Sequence, residues 1–314
     1  MIIKNIHKIM KKNSPLFLLL LFAFVNSFAQ QQPQFTQYMY NTIAVNPAYA
    51  GSREALSIVG LNRNQWVGVK GGPETQTLSI HSPLRNEKVG LGLSLIKDKL
   101  GFEDFTSVYA DFSYTIRTSE NTELSFGLKG GATYYKLDKE AQDTGDIYFQ
   151  NNKFNRWNMN IGAGAYLHSN KWYFGLSMPR IINHDKNSSV IYKSLDRVHY
   201  FMIAGYVFDL SETLKFKPSI INKYVKGAPL STDVTANFLF NEKFWLGASY
   251  RINNDQRDLG FFADFQVSKQ FRIGYAYEVP TGEIRDADFG GSHEILLIYE
   301  FKFLKNRLKS PRYF

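Results

Sequence analysis

The feature that most limits how this chain can fold is a two-residue alternation of apolar and polar side chains. It recurs in short runs along most of the length. Between Thr122 and Tyr135, Leu124, Phe126, Leu128, Gly130, Ala132 and Tyr134 fall on one parity. Glu123, Ser125, Gly127, Lys129, Gly131 and Thr133 fall on the other. The runs 244–251 and 271–278 repeat the pattern, with Phe244, Leu246 and Tyr250 opposite Trp245, Ser249 and Arg251 in the first. A period of two marks a strand whose two faces meet different surroundings. Fourteen such runs are predicted, over 53–66, 75–81, 88–97, 105–117, 122–135, 157–168, 171–178, 197–210, 214–222, 231–240, 244–251, 258–267, 271–278 and 292–303.

Two packed sheets in water would give the same period. Their outer faces would carry Lys and Glu, whereas the polar parity here is rich in Gly and Ser. Strands of about ten residues with one apolar face fit a barrel in lipid, closed so that no edge is left unpaired. Aromatic residues near strand ends (Trp66, Tyr114, Tyr134, Trp157, Trp172, Tyr250, Phe303) suit interfacial girdles. The connections are predicted to alternate long and short. The long ones are 67–74, 98–104, 136–156, 179–196, 223–230, 252–257 and 279–291, as expected of extracellular loops facing short periplasmic turns. An even strand count then places both chain ends on the short-turn side.

The ends differ from the body. Residues 1–12 carry Lys4, Lys8, Lys11 and Lys12, an apolar run follows over 15–25, and Ser27-Phe28-Ala29 offers small residues for cleavage. This is the pattern of a secretory signal peptide spanning 1–29. Its apolar run is too short for a transmembrane helix, which needs about 20 residues. Residues 30–52 are read as an ordered periplasmic lead-in without strand character, 53–303 as the barrel and 304–314 as a basic periplasmic tail. The aromatic content of the lead-in (Phe35, Tyr38, Tyr40, Tyr49) suggests that it tucks into the barrel mouth. The net charge of +9 is accounted for by the four signal lysines and by Lys302, Lys305, Arg307, Lys309 and Arg312. The body is balanced, which argues against nucleic-acid binding.

Little in the sequence points to catalysis, a metal or a cofactor, and none is expected. No Cys is present, and the six His (His7, His81, His168, His184, His199, His293) lack metal-ligand spacing. Gly127–Gly131 and Gly162–Gly164 fall inside predicted strands, where glycine lets a wall bend or another backbone come close. The long loops carry aliphatic and aromatic groups, notably Tyr148, Phe149, Ile181 and Ile182. Such residues anchor protein partners; equally, these segments could fold inward and narrow the lumen. The tail reads either as a solvated end or as a dock for a periplasmic, peptidoglycan-linked partner. On the last strand, Leu296 and Ile298 share the polar parity with Glu294 and Glu300. With Phe201, Ile203 and Phe262 they predict bulky inward groups and a filled lumen. A porin-like or uptake channel, the alternative reading, would require an open one.

An ordered set of short motifs carries a resemblance. It comprises Asn46–Gly51 (NPAYAG, with Asn46, Pro47 and Gly51), 204–210 (AGYVFDL) with 216–219 (FKPS), 247–251 (GASYR) and 274–277 (GYAY). It ends with 291–295 (GSHEI: Gly291, Ser292, His293, Glu294) and the closing SPRYF. Together these resemble the PorP/SprF family of Bacteroidota type IX secretion membrane proteins. The resemblance implies an outer-membrane barrel working with other secretion components. It further implies binding of the C-terminal sorting domain of a secreted adhesin, in support of its export, surface attachment and gliding motility. The motifs do not separate SprF-like from PorP-like members.

Overall fold

The computed structural model describes residues 34–85, 87–137, 155–182, 184–185, 195–253, 257–281, 290–301 and 313. Fourteen strands build one wall. They are β1 (Leu56–Asn64), β2 (Glu74–Pro83), β3 (Val89–Leu100), β4 (Glu103–Ser119), β5 (Thr122–Leu137), β6 (Arg156–Ser169) and β7 (Trp172–Met178). There follow β8 (His199–Tyr206), β9 (Leu214–Val225), β10 (Ser231–Phe240), β11 (Phe244–Ile252), β12 (Arg257–Gln266), β13 (Phe271–Pro280) and β14 (Ser292–Phe301). Each pairs antiparallel with its chain neighbours, and β1 pairs with β14 from Leu56↔Phe301 to Asn64↔His293. The sheet is therefore a closed barrel without a free edge, the condition lipid imposes on strands.

Parity sorts the faces as the sequence predicts. Along β14, Ile295, Leu297, Tyr299 and Phe301 face out and are exposed, while Glu294, Leu296, Ile298 and Glu300 are buried inside. Leu128, Trp157, Met159 and Phe261 are likewise exposed on the outer surface. The rings of Tyr134 and Trp157 meet at a tilt of 40° with their centres 5.0 Å apart. Trp66 differs from its predicted place: it lies beyond β1, in the connection to β2, with a positive φ of 53°.

Two predicted connections and one predicted strand depart from the pattern. The stretch 98–104 is not a loop, because β3 and β4 stay paired up to Leu100↔Glu103 and turn at Gly101-Phe102 alone. The stretch carries the charges Asp98, Lys99, Glu103 and Asp104. Above a membrane a ladder can carry charges on either face, so they do not end a strand. The predicted loop 223–230 loses its first residues to β9, which pairs with β8 as far as Val225↔His199. The run 197–210 breaks at Val207, whose N–H turns to the Lys171 carbonyl, and Phe208–Asp209 then pair with Phe216 and Lys215 of β9.

Most of the core lies inside the barrel. Residues from Phe35 to Ala50 are almost all buried and cluster with Val59, Leu61, Tyr166, Tyr173, Phe201, Ile203, Phe262, Leu296 and Ile298. Each large apolar side chain withdrawn from water this way is worth about 1.5–3 kcal/mol. The segment has no strand. It advances in three 3-10 turns, Tyr38–Tyr40, Thr42–Ala44 and Pro47–Tyr49. In chain order it starts at the end of the barrel bearing the long loops, where Thr36 meets Glu294, and runs to the end bearing the short turns, where Gly51 meets His81 and the chain passes into β1. The bulky inward set predicted from parity packs against it.

Candidate functional site: the lumenal segment and the mouth above it

The lumenal segment is held along its whole length. At the turn end, Gly51 N–H donates to His81 Nδ1 at 3.1 Å, and Ser113 Oγ donates to the Ala50 carbonyl at 2.6 Å. Tyr49 meets His81 and Tyr166 edge-on. Arg53 and Glu300 form a buried ion pair at 2.5 Å.

Mid-barrel, the walls come very close. A Cβ on Gly127 would lie 2.2 Å from the Ala48 nitrogen, and one on Gly164 would lie 2.2 Å from Asn46 Oδ1. The glycines inside β5 and β6 therefore make room for a second backbone. Asn46 caps the third turn by accepting from Ala48 N–H at 3.0 Å, and donates to the Ala165 carbonyl at 3.1 Å. Lys129, buried and paired with Asp111 at 2.8 Å, donates to the Ile43 carbonyl. Ser177 Oγ donates to the Val45 carbonyl, and Asn237 Nδ2 to the Tyr40 hydroxyl.

Toward the loop end an ionic clamp closes on Phe35, Thr36 and Gln37. Glu294 accepts the backbone N–H groups of Thr36 and Gln37, each at 2.9 Å. Arg63 donates to Thr36 Oγ1 at 2.6 Å and pairs with Glu278 at 2.5 Å and Glu294 at 3.4 Å. Arg251 donates to the Phe35 carbonyl at 2.9 Å while pairing with Asp233, Asp258 and Glu278. Gln37 Nε2 donates to Asp264 at 2.9 Å. Hydrogen bonds between charged and polar partners away from water are the stronger kind. A cavity of about 20 Å³, room for one water, lies between Tyr38, Met39 and Thr42 of the segment and Tyr173, Ile203 and Ser219 of the wall.

The motif residues fall into distinct places. Asn46, Pro47 and Gly51 belong to the lumenal segment, with Pro47 opening its last turn. Gly291 and Ser292 lead into β14, and the Gly291 carbonyl accepts from Val67 N–H. His293 faces outward, with Tyr275 OH 2.6 Å from its Nδ1, whereas Glu294 faces inward as the clamp's acceptor. Of the predicted partner-binding residues, Ile181 and Ile182 are exposed at the loop end, and their N–H groups are both fixed by Asn160 Oδ1 at 2.9 Å. Just before them Arg180 turns inward over the Tyr109 ring. Tyr148 and Phe149 lie outside the described residues, as do the signal segment and all of the basic tail except Tyr313.

Sequence reasoning placed Arg251, Lys129 and Glu278 on the polar parity but assigned them no task. Arg63, Asp264 and Asp111 went unremarked. Their signal was a single charge set among Gly, Ser and Thr on an inward face. At the turn end, hydrogen bonds from Lys171 and Lys215 hold the exposed Asp209 carboxyl down at about 2.

Solved proteins share this architecture. The chain is similar in fold to the CymD monoaromatic hydrocarbon channel (TM-score 0.52, 12% identity, covering 84% of this chain and 93% of that one). It is also similar to a TodX deltaS2S3 mutant monoaromatic hydrocarbon channel (TM-score 0.50, 11% identity, 83% and 94%). At such identity the likeness concerns the fold alone. No curated protein matches the sequence. The family model for the type IX secretion system membrane protein PorP/SprF matches residues 27–299. That span takes in the lumenal segment, its clamp and nearly the whole wall, and the chain belongs to the PorP/SprF family of type IX secretion system membrane proteins.

Proposed function

We propose that this barrel is a non-enzymatic docking component of the secretion machinery, not a pore. In this reading it binds the C-terminal domain of a secreted adhesin at its loop end and supports the adhesin's export, attachment and use in gliding. The observation that carries this reading is the occupied lumen. Residues from Phe35 to Ala50 fill it and are bonded to both sides of the wall, so a partner arriving at the mouth meets a closed floor. The exposed pair Ile181 and Ile182, set on a backbone fixed by Asn160, offers an apolar anchor there. Tyr148 and Phe149 of the other long loop complete the proposed contact. The chain is taken to be exported by a signal peptide cleaved after Ala29. The basic tail, 304–314, is offered to a periplasmic, peptidoglycan-linked component.

Replacing 138–155 and 183–194 by short Gly-Ser linkers, together with Ile181→Ser and Ile182→Ser, tests this reading. The barrel is expected to remain heat-modifiable on gels while the adhesin is lost from the cell surface. Normal display of the adhesin would sink the assignment. The named neighbours CymD and TodX are channels, but a channel needs a hydrated path. Steady conductance of the intact barrel in planar bilayers would revive that alternative.

A further inference from the structure

A tyrosine close to the end of the sequence is seated back on the turn end of the barrel. The Tyr313 carbonyl accepts a hydrogen bond from Lys217 Nζ at 2.5 Å, and its ring centre lies 5.5 Å from Lys215 Nζ. Both lysines stand in the first turn-end residues of β9. Lys217 is wholly buried, and its ammonium lies 5.2 Å from the ring centres of both Tyr40 and Trp245. The Arg272 guanidinium shares these rings, at 5.3 and 6.0 Å. Lys215 is itself fixed by Asp209 at 2.8 Å, and Asp209 binds Lys171 at 2.5 Å.

A buried ammonium is costly unless it is hydrogen-bonded, and aromatic faces offset only part of that cost. Among the described residues, the hydrogen bond that Lys217 makes is to the Tyr313 carbonyl. The wall thus holds a positive charge between two rings and leaves its acceptor to be supplied by a separate segment. Lys215 takes the aromatic ring of the same residue that supplies the carbonyl. Chain length permits the arrangement: extended, the stretch from Phe301 to Tyr313 reaches about 40 Å. The arc from β14 to β9 is five strand spacings, about 24 Å.

We propose that the turn end of β9, with Tyr40, Trp245 and Arg272 behind it, is a binding cradle for an aromatic residue of an extended peptide. Tyr313 occupies it in cis and ties the end of the chain to the barrel. This goes beyond the adhesin-docking reading, which concerns the opposite end, and the two can fail separately; it competes with the offer of the tail to a periplasmic component, for which adducts to another polypeptide would count.

The test places the photo-crosslinking residue p-benzoylphenylalanine at position 313 of the full-length chain in intact outer membranes. An intrachain adduct mapping to Leu214–Val225 is expected. Lys217→Met should lower its yield about tenfold, the scale of one lost charged hydrogen bond, with the barrel still heat-modifiable. Should Lys217→Met fail to fold, excess synthetic Ser-Pro-Arg-Tyr-Phe peptide should abolish the adduct in the otherwise unaltered chain. The same peptide with Ala for Tyr should not. Adducts only to lipid or to another polypeptide would overturn the proposal. So would an intrachain adduct that neither Lys217→Met nor the peptide diminishes.

Discussion

The two halves of the barrel treat the lumenal segment differently. On β2 to β7 the inward side chains are mostly small: Ser79, Gly90, Ser94, Ser107, Ser113, Ser125, Gly127, Gly164 and Ser177. The segment's second and third turns lie almost against that wall. On β9 to β14 small inward residues such as Ser231, Thr235, Ser249 and Ala276 alternate with larger or charged ones: Lys217, Trp245, Arg251, Phe262, Asp264, Arg272, Glu278 and Glu294. These reach across the remaining space and grip the segment at its first turns. One half supplies room and the other supplies reach. A segment without regular secondary structure can fill a barrel this way because its free backbone groups find wall partners, as buried backbone must.

The comparison breaks most severely at Glu294. Glu294→Ala removes the acceptor of two buried backbone N–H groups, those of Thr36 and Gln37. Each orphaned donor costs about 1–3 kcal/mol, and Arg63 keeps only Glu278 as an ionic partner. Release of the segment's first turn is expected, read as new protease cleavage near Phe35 and intermittent conductance in planar bilayers. An unchanged, closed barrel would show that the long-side-chain half is not what holds the segment.

The small-residue half is probed at Gly127. A methyl added there meets the Ala48 nitrogen at 2.2 Å, and backbone cannot swing aside as a flexible side chain could. Gly127→Ala is expected to cost about 1–3 kcal/mol of overpacking, seen as a lower temperature of heat modification. Gly130→Ala is the control, because nothing lies within 4 Å of its added methyl. Equal effects of the two substitutions would deny the small half its spatial role.

Strand number and facing were legible because lipid enforces them: a polar group on the outer parity has no partner in hydrocarbon. Leu296 and Ile298 disturb that alternation in the sequence, and the structure resolves them as inward groups packed on the segment. The segment itself left only an aromatic hint, since a chain bonded to its surroundings irregularly has no period to detect. The clamp was hidden for another reason. Thr36 and Glu294 stand 258 positions apart, and a single sequence does not say which inward charges will meet. The turn at Gly101-Phe102 was not legible, because the alternation weakens over 98–104 although β3 and β4 stay paired to Leu100↔Glu103.

Neither half of the wall's inner surface includes Ile181 and Ile182, and the smallest structural effect is expected there. They are tied down through backbone N–H groups, not through side-chain packing. Ile181→Ser with Ile182→Ser should therefore change stability by no more than about 0.5 kcal/mol, the range of exposed substitutions. It should also leave the lumen closed to ions. If the mouth docks a partner, the loss appears only in adhesin retention, as adhesin shed to the medium by cells whose barrel content is normal. A large drop in heat-modification temperature would instead make these residues part of the barrel's packing. It would move the docking surface to another part of the mouth.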